Sequence, residues 1–173
     1  MPTLDFSNRK YDSDKARVIK DYITINPTTP YQFLEIFKAA NFNNDFDKTG
    51  IINQYMEKEN SITPDQFLAI FKSANFNKDF YKTGIINQYM EKANPTTPDQ
   101  FLAIFKAANF NNDFHKTGII NQYIDKNSTT PGQFLKIFKA AGFTDEDQKL
   151  RMIKRYFSNE KNQDFDKLLT ILS

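Results

Sequence analysis

Side chains able to do chemistry are scarce in this 173-residue chain. It holds one histidine, His115, and no cysteine. A thiolate zinc site or a Cys–His nucleophile pair therefore has nothing to be built from. His115 occupies a position where three parallel stretches of the chain carry Asp47, Tyr81 and Gln148. A site accepting four unlike polar groups is a poor place for a general base. The segment Asn109-Phe110-Asn111-Asn112-Asp113 is rich in oxygen atoms, but it lacks the alternating carboxylates and terminal bidentate glutamate of an EF-hand. Glycines stand alone, so no phosphate-cradling loop is present. The expectation is a protein that is not an enzyme and uses no cofactor or metal.

What does recur is lysine. One row is Lys38, Lys72, Lys106 and Lys139, and a second is Lys48, Lys82, Lys116 and Lys149. Solvated faces are the expected reason for both. The sharper alternative is a surface that tracks an extended polyanion, whose binding salt would weaken strongly.

Composition supplies further bounds. Hydrophobic residues make up 39% and aromatics 15% of the chain, with eighteen Phe and eight Tyr, ample for a core. Net charge is only +2, and arginine is confined to Arg9, Arg17, Arg151 and Arg155 in the end segments. A nucleic-acid binder usually shows a dominant basic stripe with arginine available for bidentate contacts. No apolar run approaches the ~20 residues needed to span a bilayer, and MPTLDFSNRK lacks the apolar region of a secretory signal. A cytoplasmic location is expected.

The elements that must position these residues repeat. TPDQFLAIFKAANFNNDFHKTGIINQYIDK begins at Thr97, and close copies begin at Thr29, Thr63 and, more diverged, Thr130. The prolines Pro30, Pro64, Pro98 and Pro131 give periods of 34, 34 and 33 residues, which suits one helical hairpin per unit of a solenoid. Each first helix opens on Thr-Pro-x-Gln, a capping box with proline at N1. Phe33, Ile36, Phe37 and Ala40 then fall at i, i+3, i+4 and i+7, opposite Glu35 and Lys38. Asn41, Asn75, Asn109 and Gly142 stand where a left-handed C-cap is needed. Asn43, Asn77, Asn111 and Thr144 are the expected N-caps of the second helices. Asp45, Asp79, Asp113 and Glu146 follow where they complement the helix dipole.

The second helices carry Ile51, Ile52, Tyr55 and Met56 and their counterparts, with Gly50, Gly84 and Gly118 in mid-helix. Glycine there costs about 1 kcal/mol relative to alanine. Close approach of a neighbouring helix is the expected reason, and a ligand-facing notch is the alternative. At the two ends the glycine becomes Arg17 and Arg151, as expected where terminal units meet water. The organisation predicted is a single all-α domain: a half-unit at 11–24, repeats at 29–62, 63–96, 97–129 and 130–161, and a last helix at 162–173. That makes a right- or left-handed solenoid of about ten helices in stacked antiparallel hairpins.

Few positions vary between copies. Among them are Tyr31/Asp65/Asp99/Gly132, Glu35/Ala69/Ala103/Lys136 and Asp47/Tyr81/His115/Gln148. Drift on a surface is the expected explanation, and specificity tuned unit by unit the alternative. Thr97-Pro98-Asp99-Gln100-Phe101-Leu102-Ala103-Ile104 resembles the opening of the DNA-reading repeat of transcription activator-like effectors, also 34 residues long. In length the unit is also similar to pentatricopeptide and tetratricopeptide repeats. The resemblance implies the hairpin-solenoid architecture. It carries over no functional residue, because the base-reading pair would fall on the near-constant Ala39-Ala40, Ser73-Ala74 and Ala107-Ala108. The expected function is binding of a protein partner by a helical-repeat module. A secreted bacterial effector acting in a host cytosol would fit such recently amplified, Asn/Lys/Ile/Phe-rich copies. The rival is a nucleic-acid-binding repeat protein that uses the lysine rows and the varied positions.

Overall fold

The computed structural model describes residues 4–59, 61–92 and 97–158. Among the described residues there are nine α-helices and no strand. The chain divides into two compact units, Met1–Ala93 and Asn94–Ser173. The first unit holds α1 (Asp12–Ile25), α2 (Pro30–Ala40), α3 (Asp45–Lys58), α4 (Pro64–Ala74) and α5 (Asp79–Lys92). The second holds α6 (Pro98–Ala108), α7 (Asp113–Lys126), α8 (Pro131–Ala141) and α9 (Glu146–Ser158). The helix expected at 162–173 lies outside the described residues.

Local chemistry sets the helix ends. In α2 the Thr29 hydroxyl accepts from the Gln32 N–H at 3.3 Å, and the Gln32 side chain accepts from the Thr29 N–H at 2.9 Å. The same reciprocal box opens α4, α6 and α8. Each of these helices stops at a residue with φ between 44° and 52°: Asn41, Asn75, Asn109 and Gly142. Asparagine and glycine are the residues that tolerate this left-handed geometry, so their interchange at one position follows from the backbone.

The second helices begin one residue later than the sequence pattern predicts. Asn44 and Asn112 are the N-caps of α3 and α7, accepting from Phe46 N–H at 2.9 Å and Phe114 N–H at 2.8 Å. In α9 the Asp145 carboxylate accepts from the Asp147 and Gln148 N–H groups. Asn43, Asn77 and Thr144 lie one residue before this position, and their N–H groups donate to an aspartate of the preceding second helix.

Packing follows the predicted stripe. Within each hairpin a first-helix phenylalanine lies face to face on a second-helix tyrosine. The pairs are Phe33–Tyr55, Phe67–Tyr89, Phe101–Tyr123 and Phe134–Tyr156, with centroids 3.9–4.0 Å apart. The Tyr55 hydroxyl donates to Thr28 O at 3.1 Å and the Tyr156 hydroxyl to Thr129 O at 3.0 Å, tying the second helix to the entry of its own hairpin. Burial, then the charge of Glu59, pushes the Tyr55 hydroxyl above the usual phenol range, so it stays a neutral donor. In the first unit α1, α3 and α5 pack as one row and α2 and α4 as another. In the second unit α6 packs on α8, and α7 on α9.

Phe101 is almost completely buried, so Phe101→Ala removes a stacked ring from a site with little freedom to collapse. Urea unfolding of the variant should show a loss of about 3–5 kcal/mol. A loss below about 1 kcal/mol would mean that the stack is not part of the core.

Candidate interaction surface

The second lysine row does not form a surface. Lys48, Lys82 and Lys116 are buried, only 4–9% exposed. Each makes an i,i+3 ion pair, with Asp45 at 3.1 Å, Asp79 at 3.0 Å and Asp113 at 2.7 Å. The ammonium also reaches a C-cap carbonyl in the next hairpin: Lys48 donates to Asn75 O and Lys116 to Gly142 O, both at 3.3 Å. The aspartate's second oxygen accepts from the next turn. Asp45 takes Asn77 and Lys78 N–H at 2.8 and 3.0 Å, and Asp113 takes Thr144 and Asp145 N–H at 2.6 and 2.8 Å. Asp12 and Lys15 of α1 form the same arrangement with Asn41, Asn43 and Asn44. Lys149 is the exception, half-buried and paired with the exposed Glu146.

These ion pairs therefore join successive hairpins within a unit. Burial alone would raise the Asp113 carboxyl. The hydrogen bonds from Lys116, Asp145 and Thr144 outweigh it and hold the group far below the usual carboxylate range. Asp12 is lowered by the same balance.

The first-helix lysines Lys38, Lys72, Lys106 and Lys139 are exposed, in the last turn of α2, α4, α6 and α8. Lys38 makes a solvent-exposed pair with Glu35 at 3.2 Å, an interaction of little energy. Tyr31, Asp65, Asp99 and Lys136 are also exposed on these helices. Asp47, Tyr81 and His115 lie elsewhere, half-buried on α3, α5 and α7. In the first unit the two sets thus fall on different rows of helices.

Beside Asp47, Tyr81 and His115 stand three exposed phenylalanines that the apolar stripe does not include. Phe46, Phe80 and Phe114 are 68%, 71% and 70% exposed, at the same position of three successive second helices. Tyr81 packs its ring edge-on to Phe80 at 5.4 Å, and His115 packs edge-on to Phe114 at 5.8 Å. Burial, then the charge of Asp12, raises the Asp47 carboxyl, opposed by Lys20. In α1 and α9 the phenylalanine is replaced by Ser13 and Asp147. The sequence did hold the signal. At 100° per residue Phe46 points away from Ile51, Ile52 and Tyr55, which places an aromatic on the polar face of an amphipathic helix.

No protein-family model, curated protein or solved structure matches the chain. The surface has to be read from its own chemistry. Among the described residues no cluster of three carboxylate or imidazole groups could hold a metal, and no helix is long and apolar enough to cross a membrane.

One turn beyond each exposed phenylalanine lies a glycine. Added methyl groups at Gly84 and Gly118 would meet nothing within 4 Å. The expected close approach of a neighbouring helix is therefore absent at both. At Gly50 the methyl would meet only the end of the Lys20 side chain, at 3.3 Å. These glycines leave open ground beside an exposed ring. Farther along, the Oδ1 atoms of Asn53, Asn87 and Asn121 are shielded and accept no hydrogen bond from the described residues. Recurrence in three helices makes this a property of the repeat.

Two outcomes follow. Because the folded Asp113 carboxyl is depressed, its stabilisation is complete above its unfolded value near 4 and is lost as pH falls below it. Asp113→Ala should cost about 3 kcal/mol or more at neutral pH by leaving Lys116 buried and unpaired, and should flatten the fall in stability between about pH 4 and 2. An unchanged acid profile in the variant would remove Asp113 from this role. Gly84→Ala, placed in open space, should stabilise the fold by about 0.5–1 kcal/mol in thermal unfolding, and a destabilised variant would show that the backbone needs glycine there.

Proposed function

We propose that the chain is a non-enzymatic interaction module that binds a protein partner through the exposed phenylalanines that each unit carries on its second helices. The observation carrying this reading is the exposure of Phe46, Phe80 and Phe114 at one repeated position. Single exposed apolar side chains are ordinary on a monomer, whereas a repeated aromatic position on the polar face of a helix is a reason to expect a partner. Aromatic side chains dominate the energetics of protein interfaces, because a rigid ring buries much area at little entropic cost. The neighbouring glycines support the reading. Each costs helix stability, while no described residue lies within 4 Å of a methyl added at Gly84 or Gly118.

Asp47, Tyr81 and His115 touch or adjoin the row and differ between copies, so they are suited to adjusting which partner each unit prefers. The rival reading, a nucleic-acid binder, rests on the exposed lysines Lys38, Lys72, Lys106 and Lys139. It no longer has the second lysine row to draw on, since three of those four are buried in ion pairs.

The test compares the wild-type chain with the Phe46→Ser, Phe80→Ser, Phe114→Ser triple variant. Its melting temperature should match the wild type, because the rings are already in water. Immobilised wild type should retain a cellular protein that the triple variant loses. Strongly salt-dependent gel shifts of DNA or RNA, unchanged by the triple substitution but lost when Lys72 and Lys106 become Ala, would instead support the nucleic-acid reading.

A further inference from the structure

We infer that the α3–α5 face of the first unit takes a basic amphipathic helical segment, an inference that rests on the phenylalanine row being the docking surface. On α3, Phe46, Gly50, Asn53 and Glu57 follow at i, i+4, i+7 and i+11, a line along one side of the helix. On α5 the same line is Phe80, Gly84, Asn87 and Glu91. At 1.5 Å per residue the aromatic and acidic ends lie about 16 Å apart. An occupant lying along both lines is therefore about three turns of helix, met by two rings at one end and two carboxylates at the other.

The charge at the acidic end is uncompensated. Glu57 and Glu91 are exposed and make no ion pair with the described residues. The cations beside them are directed elsewhere. Lys58 donates to the carbonyls of Ile23, Thr24 and Asn26 at the end of α1, and Lys92 to Met56 O at 2.9 Å. An acidic occupant or a phosphate backbone would be repelled, whereas lysine or arginine would find two free carboxylates.

The second unit differs at this point. Its equivalent acid, Asp125, is held by both nitrogens of an Arg155 fork at 3.2 and 2.7 Å, so the α7 line ends in a neutralised pair. Between ring and acid no side chain rises at Gly84, and only the flexible end of Lys20 lies by Gly50. That leaves room for a helix backbone to settle against the surface. Among the described helices of the second unit, α9 exposes Leu150, Arg151 and Lys154. Its corresponding line begins with Asp147 and offers one large apolar side chain to two phenylalanines, so a separate partner is the better occupant.

The experiment titrates the full 173-residue chain against two labelled synthetic helices of about four turns, followed by fluorescence anisotropy. One is built from leucine and lysine with leucine at i, i+3, i+4 and i+7, and the other has glutamate in place of lysine. The lysine peptide should bind at ~10 µM and the glutamate peptide should not bind at ~100 µM. Phe46→Ser with Phe80→Ser should weaken the lysine peptide tenfold or more. Glu57→Lys with Glu91→Lys should weaken it about tenfold and admit the glutamate peptide.

Equal binding of both peptides, failure of the lysine peptide to bind, or indifference to the charge reversal would overturn the basic partner while leaving the phenylalanine row in place. Indifference of lysine-peptide binding to the phenylalanine substitutions would overturn the row itself. Concentration-dependent self-association of the chain alone, lost in the phenylalanine variant, would overturn the separate partner in favour of a second copy.

Discussion

The arrangement on which the stacking depends is a buried ion pair that reaches beyond its own helix. An aspartate at the first position of a second helix holds the lysine three residues on, and both then engage the next hairpin's turn. Lys48 reaches the carbonyl of Asn75 while Asp45 collects the N–H groups of Asn77 and Lys78. A left-handed C-cap and a helix start leave such carbonyls and N–H groups without partners inside their own helices, and a solenoid that buries them has to supply partners from elsewhere. Burying an ion pair in low dielectric repays its desolvation only when the remaining lone pairs and protons are also satisfied. Here both conditions are met by one device. Lys48 and Lys116 also lie about 6.0 Å from the centroids of the turn rings Phe76 and Phe143, so the aliphatic stem and the charge are both used.

The opposite ends of the second helices are held by another lysine. Lys58 donates to three carbonyls at the end of α1, and Lys92 to one at the end of α3. A cation there also opposes the negative end of the helix dipole. Midway, Gln54 donates to Lys20 O and to the Thr24 hydroxyl. Phenylalanine–tyrosine stacks then hold each hairpin together from within. With caps, stripe, stacks and ion pairs assigned, packing gives no role to the exposed phenylalanine or to the glycine one turn later.

What could be read from the sequence was whatever is decided within a few residues. Thr-Pro-x-Gln encodes its cap reciprocally, so all four first helices begin where the pattern places them. Asparagine alternating with glycine at the left-handed position is likewise a local steric statement. The second helices start one residue later than the pattern places them because two adjacent residues are competent caps by type in Asn43-Asn44 and Thr144-Asp145, and it is the second whose side chain caps. The buried lysines were hidden because a repeated lysine reads as a solvated face until the next turn is laid over it. Phe46 is apolar by type and so counts toward a core by composition, although its angle on the helix excludes it. The glycines suggest close packing because a neighbouring helix is a common reason for glycine in a helix, whereas the space around Gly84 and Gly118 is a tertiary fact.

Near-identical copies need not present identical surfaces, and the acid at the foot of the phenylalanine line shows how. Glu57 and Glu91 make no ion pair with the described residues, while Asp125 is one methylene shorter and is engaged by Arg155, a residue of the diverged fourth hairpin that replaces the glutamine found at Gln54, Gln88 and Gln122. The same hairpin exchanges the open glycine for Arg151 and the phenylalanine for Asp147. Divergence there removes the aromatic, fills the notch and supplies a cation to the neighbouring acid. The ion pairs and stacks that set the fold are insensitive to these exchanges, since none of the three positions faces the core. Architecture and surface are thus carried by different residues of one repeat, which lets the surface of a unit change while its geometry stays constant.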